Sequence, residues 1–375
     1  MQVPFTNLSR QYTEIKDDLV AVTDEILSSG NLMNGTYTDT FEKAMIDATG
    51  DLFQGAVTCH SGTSALEMMY EYFHALYIEM HSCEAIMILP CITFPATINA
   101  ALRAGWKIVL GDVFADGTLN IESVDFDQFN GPVAVTLVGL YGNTHSFFNE
   151  SWQVLNRLYL DNKIAYILED AAQHVFGRHH PACDAAAVSF DPTKNLANHG
   201  NGGMVLCRSI NMAYTLKEHR AHGNYEAGTM IGTNSRMSEI DCAMLCLKLK
   251  HIPVKQHQRA DIARHWINEF TDRYIRTITT KDNIQCHAHQ KFALLVENRN
   301  EVQAYLKDKG IITKVHYHAP LYEMDAYHNI RGCNLLSVGS FFSRRTLSLP
   351  FYPELTDNEI EYITATVIDA IKYTS

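Results

Sequence analysis

Lys194, Asp170 and the run Gly62-Thr63-Ser64 are the residues of this chain best placed to do chemistry. Each follows a short apolar run. In SFDPTKNLANHGNGGMVLC, Lys194 lies between the strand-like runs AAAVSF and GMVLC, with Gly200, Gly202 and Gly203 behind it. Desolvation favours the neutral form of an amine, so a lysine held there can attack a carbonyl and form a Schiff base. In ILEDAAQH an apolar run ends in Glu169 and Asp170. A carboxylate at the tip of a buried strand needs a cation or a hydrogen-bond donor to meet it. In CHSGTSALEMMY the chain passes from strand to helical spacing through Gly62, Thr63 and Ser64. The free N–H groups and partial positive charge of a helix start can cradle a phosphate there. Singly, these are also an ordinary surface lysine, an ion pair and an N-cap.

Together they match the needs of pyridoxal 5'-phosphate. That cofactor takes a phosphate anchor, a carboxylate that keeps its pyridine nitrogen protonated, and a lysine for covalent attachment.

The elements that must hold these residues follow from periodicity. Apolar positions 65, 66, 69, 70, 73, 76 and 77 have helical spacing. AIMILP (85–90), KIVLGD (107–112), VAVTLVGL (133–140), IAYILED (164–170), AAAVSF and GMVLC read as strands, with helical patterns near 95–104 and 149–161. This alternation predicts a mostly parallel sheet covered on both faces, with ligands at the carboxyl ends of its strands. A helix over 238–250 stops before Pro253. KFALLVE (291–297), a helix near 300–309, IITKVHY (311–317) and a closing helix over 357–372 predict a smaller α+β unit. The expected division is a large domain over 1–250, including the N-terminal segment, and a small domain over 251–375.

Composition narrows the partners. With 30 Lys and Arg against 42 Asp and Glu, the formal charge is -12, which argues against nucleic acid and anionic membranes. The nine cysteines form no CxxC pair, so they read as reduced thiols of a cytoplasmic protein with no metal site. No apolar stretch reaches the roughly 18 residues of a membrane span.

The chain resembles the DegT/StrS-type family of pyridoxal-phosphate-dependent sugar aminotransferases, of the aspartate-aminotransferase (type I) fold. VPFTNLSRQYTEIKDDL, SSGNLMNGTYTDTFE, CHSGTSALEMMY, LPCITFPATINAALRAGWKIVLGDV, ILEDAAQHVFG, SFDPTKNLANHGNGGMVL, GTNSRMSEIDCAMLCLKL and GIITKVHYHAPLY carry the resemblance in order. It implies a seven-stranded, mostly parallel sheet between helices, and a homodimer with shared active sites. It gives Lys194 covalent attachment and proton shuttling, and Asp170 the pyridinium partner. Gln173 would contact the ring hydroxyl, Phe94 would stack on the ring, and Gly62, Thr63, Ser64 and Ser189 would hold the phosphate. Asn234 would serve the partner subunit's phosphate site, and Tyr317, His316 and Arg236 would lie near the substrate. His174, His179, His180 and His199 are expected at the surface or behind the site.

The implied reaction transfers an amino group from L-glutamate to C3 or C4 of a nucleotide-linked keto-deoxysugar. C3 is preferred on the KNL…G-G pattern. Two rivals are a dehydratase of the same fold, which in this family carries histidine at the lysine position, and a non-catalytic regulatory or scaffold protein. The chain departs from the family at Asp191, where an aromatic or histidine is common, and at Asn201, where GNGG replaces GEGG. The HHPACD segment is also shorter than the usual hairpin.

Overall fold

The apolar runs become the strands of one sheet: β1 (Gly55–Cys59), β2 (Ile86–Pro90), β3 (Lys107–Gly111), β4 (Val133–Val138), β5 (Ile164–Asp170), β6 (Ala185–Ser189) and β7 (Gly203–Cys207). Their order in this computed structural model, which describes all residues but 149, 225, 229, 333–335 and 375, is β1-β7-β6-β5-β4-β2-β3. β7 runs antiparallel to both β1 and β6, and the other pairs are parallel. Beyond the predicted strands come β8 (Arg276–Thr277), β9 (Ala293–Leu295), β10 (Arg331–Gly332) and β11 (Thr346–Ser348). β10 adds a two-residue edge beside β3, and β11-β9-β8 form a separate antiparallel sheet.

The helices are α1 (Leu8–Ser29), α2 (Thr36–Thr49), α3 (Gly62–Met80), α4 (Pro95–Arg103), α5 (Glu150–Leu160), α6 (Ile210–His219), α7 (Glu239–Leu249), α8 (Ile252–Thr271), α9 (Arg299–Asp308), α10 (Ser337–Arg345) and α11 (Asp357–Thr374). The two-residue period of a strand decides which side each residue packs on. Ala185 and Ala187 of β6 face the core built with Met69 and Phe73 of α3, whereas Ala186 and Val188 face Phe41 of α2 and Leu245 of α7. Farther along the sheet, Val135 and Leu137 pack on Leu155 of α5. With both faces covered, the strands carry nearly unbroken apolar runs, as a buried parallel sheet requires.

A separate core gathers Trp266 of α8, Phe292, Leu306 of α9 and Val367 of α11, together with Val3 from the N-terminus. The expected strand over 311–317 is only partly realised. Ile311, Thr313 and Val315 are buried while Ile312 and Lys314 are exposed, so the alternation holds. Its pairing is limited to isolated bridges, Ile311 with Val3 and Lys314 with Ser348. The described cysteines are free thiols, and Cys333 lies outside the described residues. Among the described residues no helix is long and apolar enough to cross a membrane.

Candidate active site

A cleft of about 440 Å³ opens at the carboxyl ends of the parallel strands. The ends of β5 and β6, the starts of α3 and α4 and the loop after β6 line it, with Lys291, His316 and Tyr317 on its far wall. Asp170 sits at the tip of β5 and is 5% exposed. Its Oδ2 accepts a 2.7 Å hydrogen bond from the Thr97 hydroxyl, and its Oδ1 accepts one of 3.1 Å from the Ala172 N–H. The Thr97 hydroxyl in turn lies 2.8 Å from that of Thr93. Two neutral donors do not neutralise the carboxylate, so it presents negative charge to the cleft.

Lys194 lines the same cleft, on a loop shaped by its neighbours. Asp191 Oδ1 accepts from the Thr193 N–H (2.9 Å) and the Thr193 hydroxyl (2.6 Å), and the Asp191 carbonyl accepts from the Lys194 N–H (2.9 Å). This is an Asx turn, which gives the departure at Asp191 a local structural role. Burial pushes the Asp191 carboxyl up, but its bonds to Thr193 and the charges of Lys194 and Lys291 outweigh burial and hold it below its ordinary value. Burial pushes the Lys194 ammonium down, opposed by Asp170 and Asp191, and the net shift is downward.

At the start of α3 the Ser61 hydroxyl accepts from the Ser64 N–H at 3.1 Å and caps the helix. The Gly62 and Thr63 N–H groups belong to the first turn of α3, where a helix has no internal acceptor for them, and these residues border the cleft. Ser64 does not line it: its hydroxyl is buried against Ser61 and His60. Ser189 closes the cradle from β6. A Cβ on Gly62 would lie 2.6 Å from that of Ser189, and one on Gly203 would lie 2.2 Å from the Ser61 carbonyl oxygen. The glycines at these two positions are therefore explained by close approach of β6 and β7 to α3. Gly62→Ala is expected to push the two walls apart and raise the Kd for the cofactor by about tenfold, read by absorbance titration of the apoprotein.

The remaining expected residues divide in two. Gln173 Oε1 accepts from the Tyr141 N–H at 2.8 Å, and its amide donates to the Tyr317 hydroxyl at 3.3 Å, fixing the amide beside the cleft. Phe94 is 55% exposed at the start of α4, its ring 6.0 Å from that of Tyr317. Burial pushes the Tyr317 hydroxyl up, helped by the charge of Asp170. Burial, then the charges of Lys291, Lys314 and Lys194, push His316 down to about 2, so it is a neutral group here. Asn234 is exposed and Arg236 half-buried, and neither lines this chain's cleft.

Sequence reasoning missed Thr97, Tyr141 and Lys291. Tyr141 adopts a left-handed φ of 63°. Its carbonyl accepts from the Gln290 and Lys291 N–H groups, both at 3.1 Å, and its hydroxyl donates to the His316 carbonyl. Lys291 carried a readable signal, a lone cation at the head of the apolar run KFALLVE.

Behind Asp170 lies a buried polar cluster, so of the two places expected for the histidines, surface or behind the site, His174, His179 and His180 take the second. Glu169 Oε2 faces His174 Nε2 at 2.9 Å and His179 Nδ1 at 2.6 Å, and Oε1 accepts from the His180 N–H at 2.6 Å. Only His199 of the four is exposed. Burial works to raise the Glu169 carboxyl, but His179 and His174 outweigh it and hold it well below its ordinary value. A carboxyl shifted down contributes stability above its unfolded value, about 4.3, and loses it as the pH falls through the folded one. Glu169→Gln is therefore expected to cost about 3 kcal/mol in urea unfolding at pH 7, with the deficit shrinking below about pH 4.

Known proteins share this architecture. Residues 13–368 match the model of the DegT/DnrJ/EryC1/StrS aminotransferase family. The "Pleiotropic regulatory protein" of Geobacillus stearothermophilus is 27% identical, over 100% of both chains. The UDP-4-amino-4,6-dideoxy-N-acetyl-beta-L-altrosamine transaminase of Campylobacter jejuni serotype O:2 is also 27% identical, over 94% of this chain and 93% of its own. A solved DegT DnrJ EryC1 StrS aminotransferase from Brucella abortus superposes with a TM-score of 0.87 at 25% identity, covering 99% of this chain and 100% of that one. The family match spans every strand and helix start that builds the cleft, and the chain belongs to the DegT/DnrJ/EryC1/StrS aminotransferase family.

Proposed function

We propose that this chain is a pyridoxal-phosphate-dependent nucleotide-sugar aminotransferase. It moves an amino group from L-glutamate to a ring keto carbon of a nucleotide-linked deoxysugar, C3 on the KNL…G-G pattern, as a cytoplasmic homodimer. The observation that carries this reading is the convergence of Lys194, Asp170 and the Gly62–Thr63–Ser189 cradle on one cleft.

The residues present fit the cofactor. The cradle offers N–H groups and a hydroxyl to a phosphate, and it keeps its dimensions because Gly62 has no Cβ to meet Ser189. Phe94 supplies an exposed aromatic face and Gln173 a fixed amide. Bound there, pyridoxal 5'-phosphate supplies the carbonyl and the electron sink of amino transfer.

The chain's own residues do the rest. Asp170, held by Thr97, keeps a negative charge against the ring nitrogen. Lys194 Nζ, lowered by burial, is free as a neutral amine in a larger fraction at a given pH, and it takes up and returns the proton the reaction moves. Asn234 belongs to the partner subunit's phosphate site, with Arg236 beside it, and Tyr317 and His316 border the sugar.

The name of the Geobacillus relative favours a second reading, a regulatory protein that keeps the fold. Both readings, and the dehydratase, are separated by incubating the holoenzyme with glutamate and a panel of nucleotide-linked ketosugars. Amine gain located at C3 by NMR is expected. Hydroxyl loss without amine gain selects the dehydratase, and a colourless protein inert on the whole panel selects the regulator.

A further inference from the structure

Lys291 stands on the wall of the cleft with little to neutralise it. It is 7% exposed and lines the cleft with Asp191, Thr193, Lys194 and His316. Its Nζ donates a 2.6 Å hydrogen bond to the Gln290 side-chain oxygen. Among the described residues no carboxylate oxygen lies within 4.0 Å of it. Asp191 is the anion that faces it, but Asp191 Oδ1 already accepts twice from Thr193. Burial, then the like charges of Lys194, Lys314 and Arg259 against the opposing charge of Asp191, hold the Lys291 amine well below its ordinary value, so it keeps a proton only at a cost. A buried ammonium in that setting is costly unless an anion arrives to meet it.

Its position is fixed relative to the reacting amine. The Lys291 N–H donates to the Tyr141 carbonyl at 3.1 Å, and the Gln290 amide donates to the Thr193 carbonyl at 2.8 Å, one residue before Lys194. The cofactor's phosphate has its own donors at the start of α3, so the anion left for Lys291 belongs to a substrate. A donor's α-carboxylate is bonded to the carbon that bears the reacting nitrogen and must lie close to Lys194. The diphosphate of a nucleotide sugar is separated from the keto carbon by ring carbons and an oxygen.

We infer that Lys291 is the anchor for a substrate carboxylate, that of the amino acid donor or one carried on the sugar ring as a uronate. The inference rests on the aminotransferase reading above. A charge-assisted bond from Nζ would orient the donor while Lys194 acts on its carbon.

The test compares the wild-type holoenzyme with Lys291→Met and Lys291→Gln, by calorimetric titration with glutarate, UDP-glucuronate and UDP-glucose. Both variants should keep the cofactor's visible absorbance and the wild-type Tm within a few degrees, because neither position 291 change opens the core. Glutarate binding is expected to weaken about tenfold or more in both, with UDP-glucose unchanged and the KM for glutamate raised more than kcat is lowered. Weakening confined to UDP-glucuronate assigns the anchor to a uronate and also supports the inference. Unchanged binding of both carboxylates by variants that retain the cofactor band overturns it. A wild-type protein that shows no cofactor band overturns the aminotransferase reading instead, and the inference with it.

Discussion

Lys194→Ala is expected to lose the visible absorbance of covalently held cofactor and about 10⁴-fold or more of amino transfer. The magnitude follows from two roles in one side chain, attachment and proton transfer. Alanine leaves the Asx turn at Asp191 and Thr193 in place, because that turn uses the backbone of residue 194 and not its side chain. The variant should therefore fold, and dialysis should release its cofactor readily. Added methylamine offers a sharper check, since a small free amine can take up the proton-transfer role in the emptied space and restore part of the rate. A variant that transfers amino groups at the wild-type rate sinks the assignment.

Asp170→Asn carries the second large effect. Asparagine keeps the size of the side chain and one acceptor oxygen, enough for the Ala172 N–H, while its amide nitrogen would donate to the Thr97 hydroxyl in place of accepting from it; the charge that faces the ring nitrogen is removed. A loss of about 10²–10³-fold in kcat is expected, as for other buried charges aimed at a reacting group. The cofactor's absorbance maximum should shift as well, which a purely structural defect would not produce. Thr97→Val removes only one donor to Asp170 and should cost about tenfold, placing it between Asp170→Asn and the wild type.

How far the sequence could be read depended on whether a feature was local. The strands were legible because each is a short apolar run with its own boundaries, and the observed ends lie within a residue or two of the runs for β2, β3, β5, β6 and β7. Lys194, Asp170 and Gly62 were legible because each stands out against its immediate neighbours. Features fixed by distant partners were not. The extended stretch over 311–317 has the right alternation, but its strand pairing amounts to isolated bridges at Ile311 and Lys314. Ser64 looked like part of a phosphate cradle until Ser61 and His60 enclosed its hydroxyl. For His174 and His179 the sequence left surface and behind-the-site positions both open, and only the fold places them around Glu169, next to the cofactor's proposed carboxylate. Thr97 reaches Asp170 across 73 residues of chain, a pairing that no local pattern encodes.

Tyr141 has a practical consequence for redesigning the cleft. The backbone of this one residue aligns Gln173 through its N–H and residues 290 and 291 through its carbonyl, while the ring hydroxyl reaches the His316 carbonyl. The two sides of the cleft therefore share a single reference point. A library that varies positions 291 and 317 while sparing 141 can retune donor and acceptor preference separately. A library that admits changes at 141 will move both preferences together, and its hits will trade one substrate against the other.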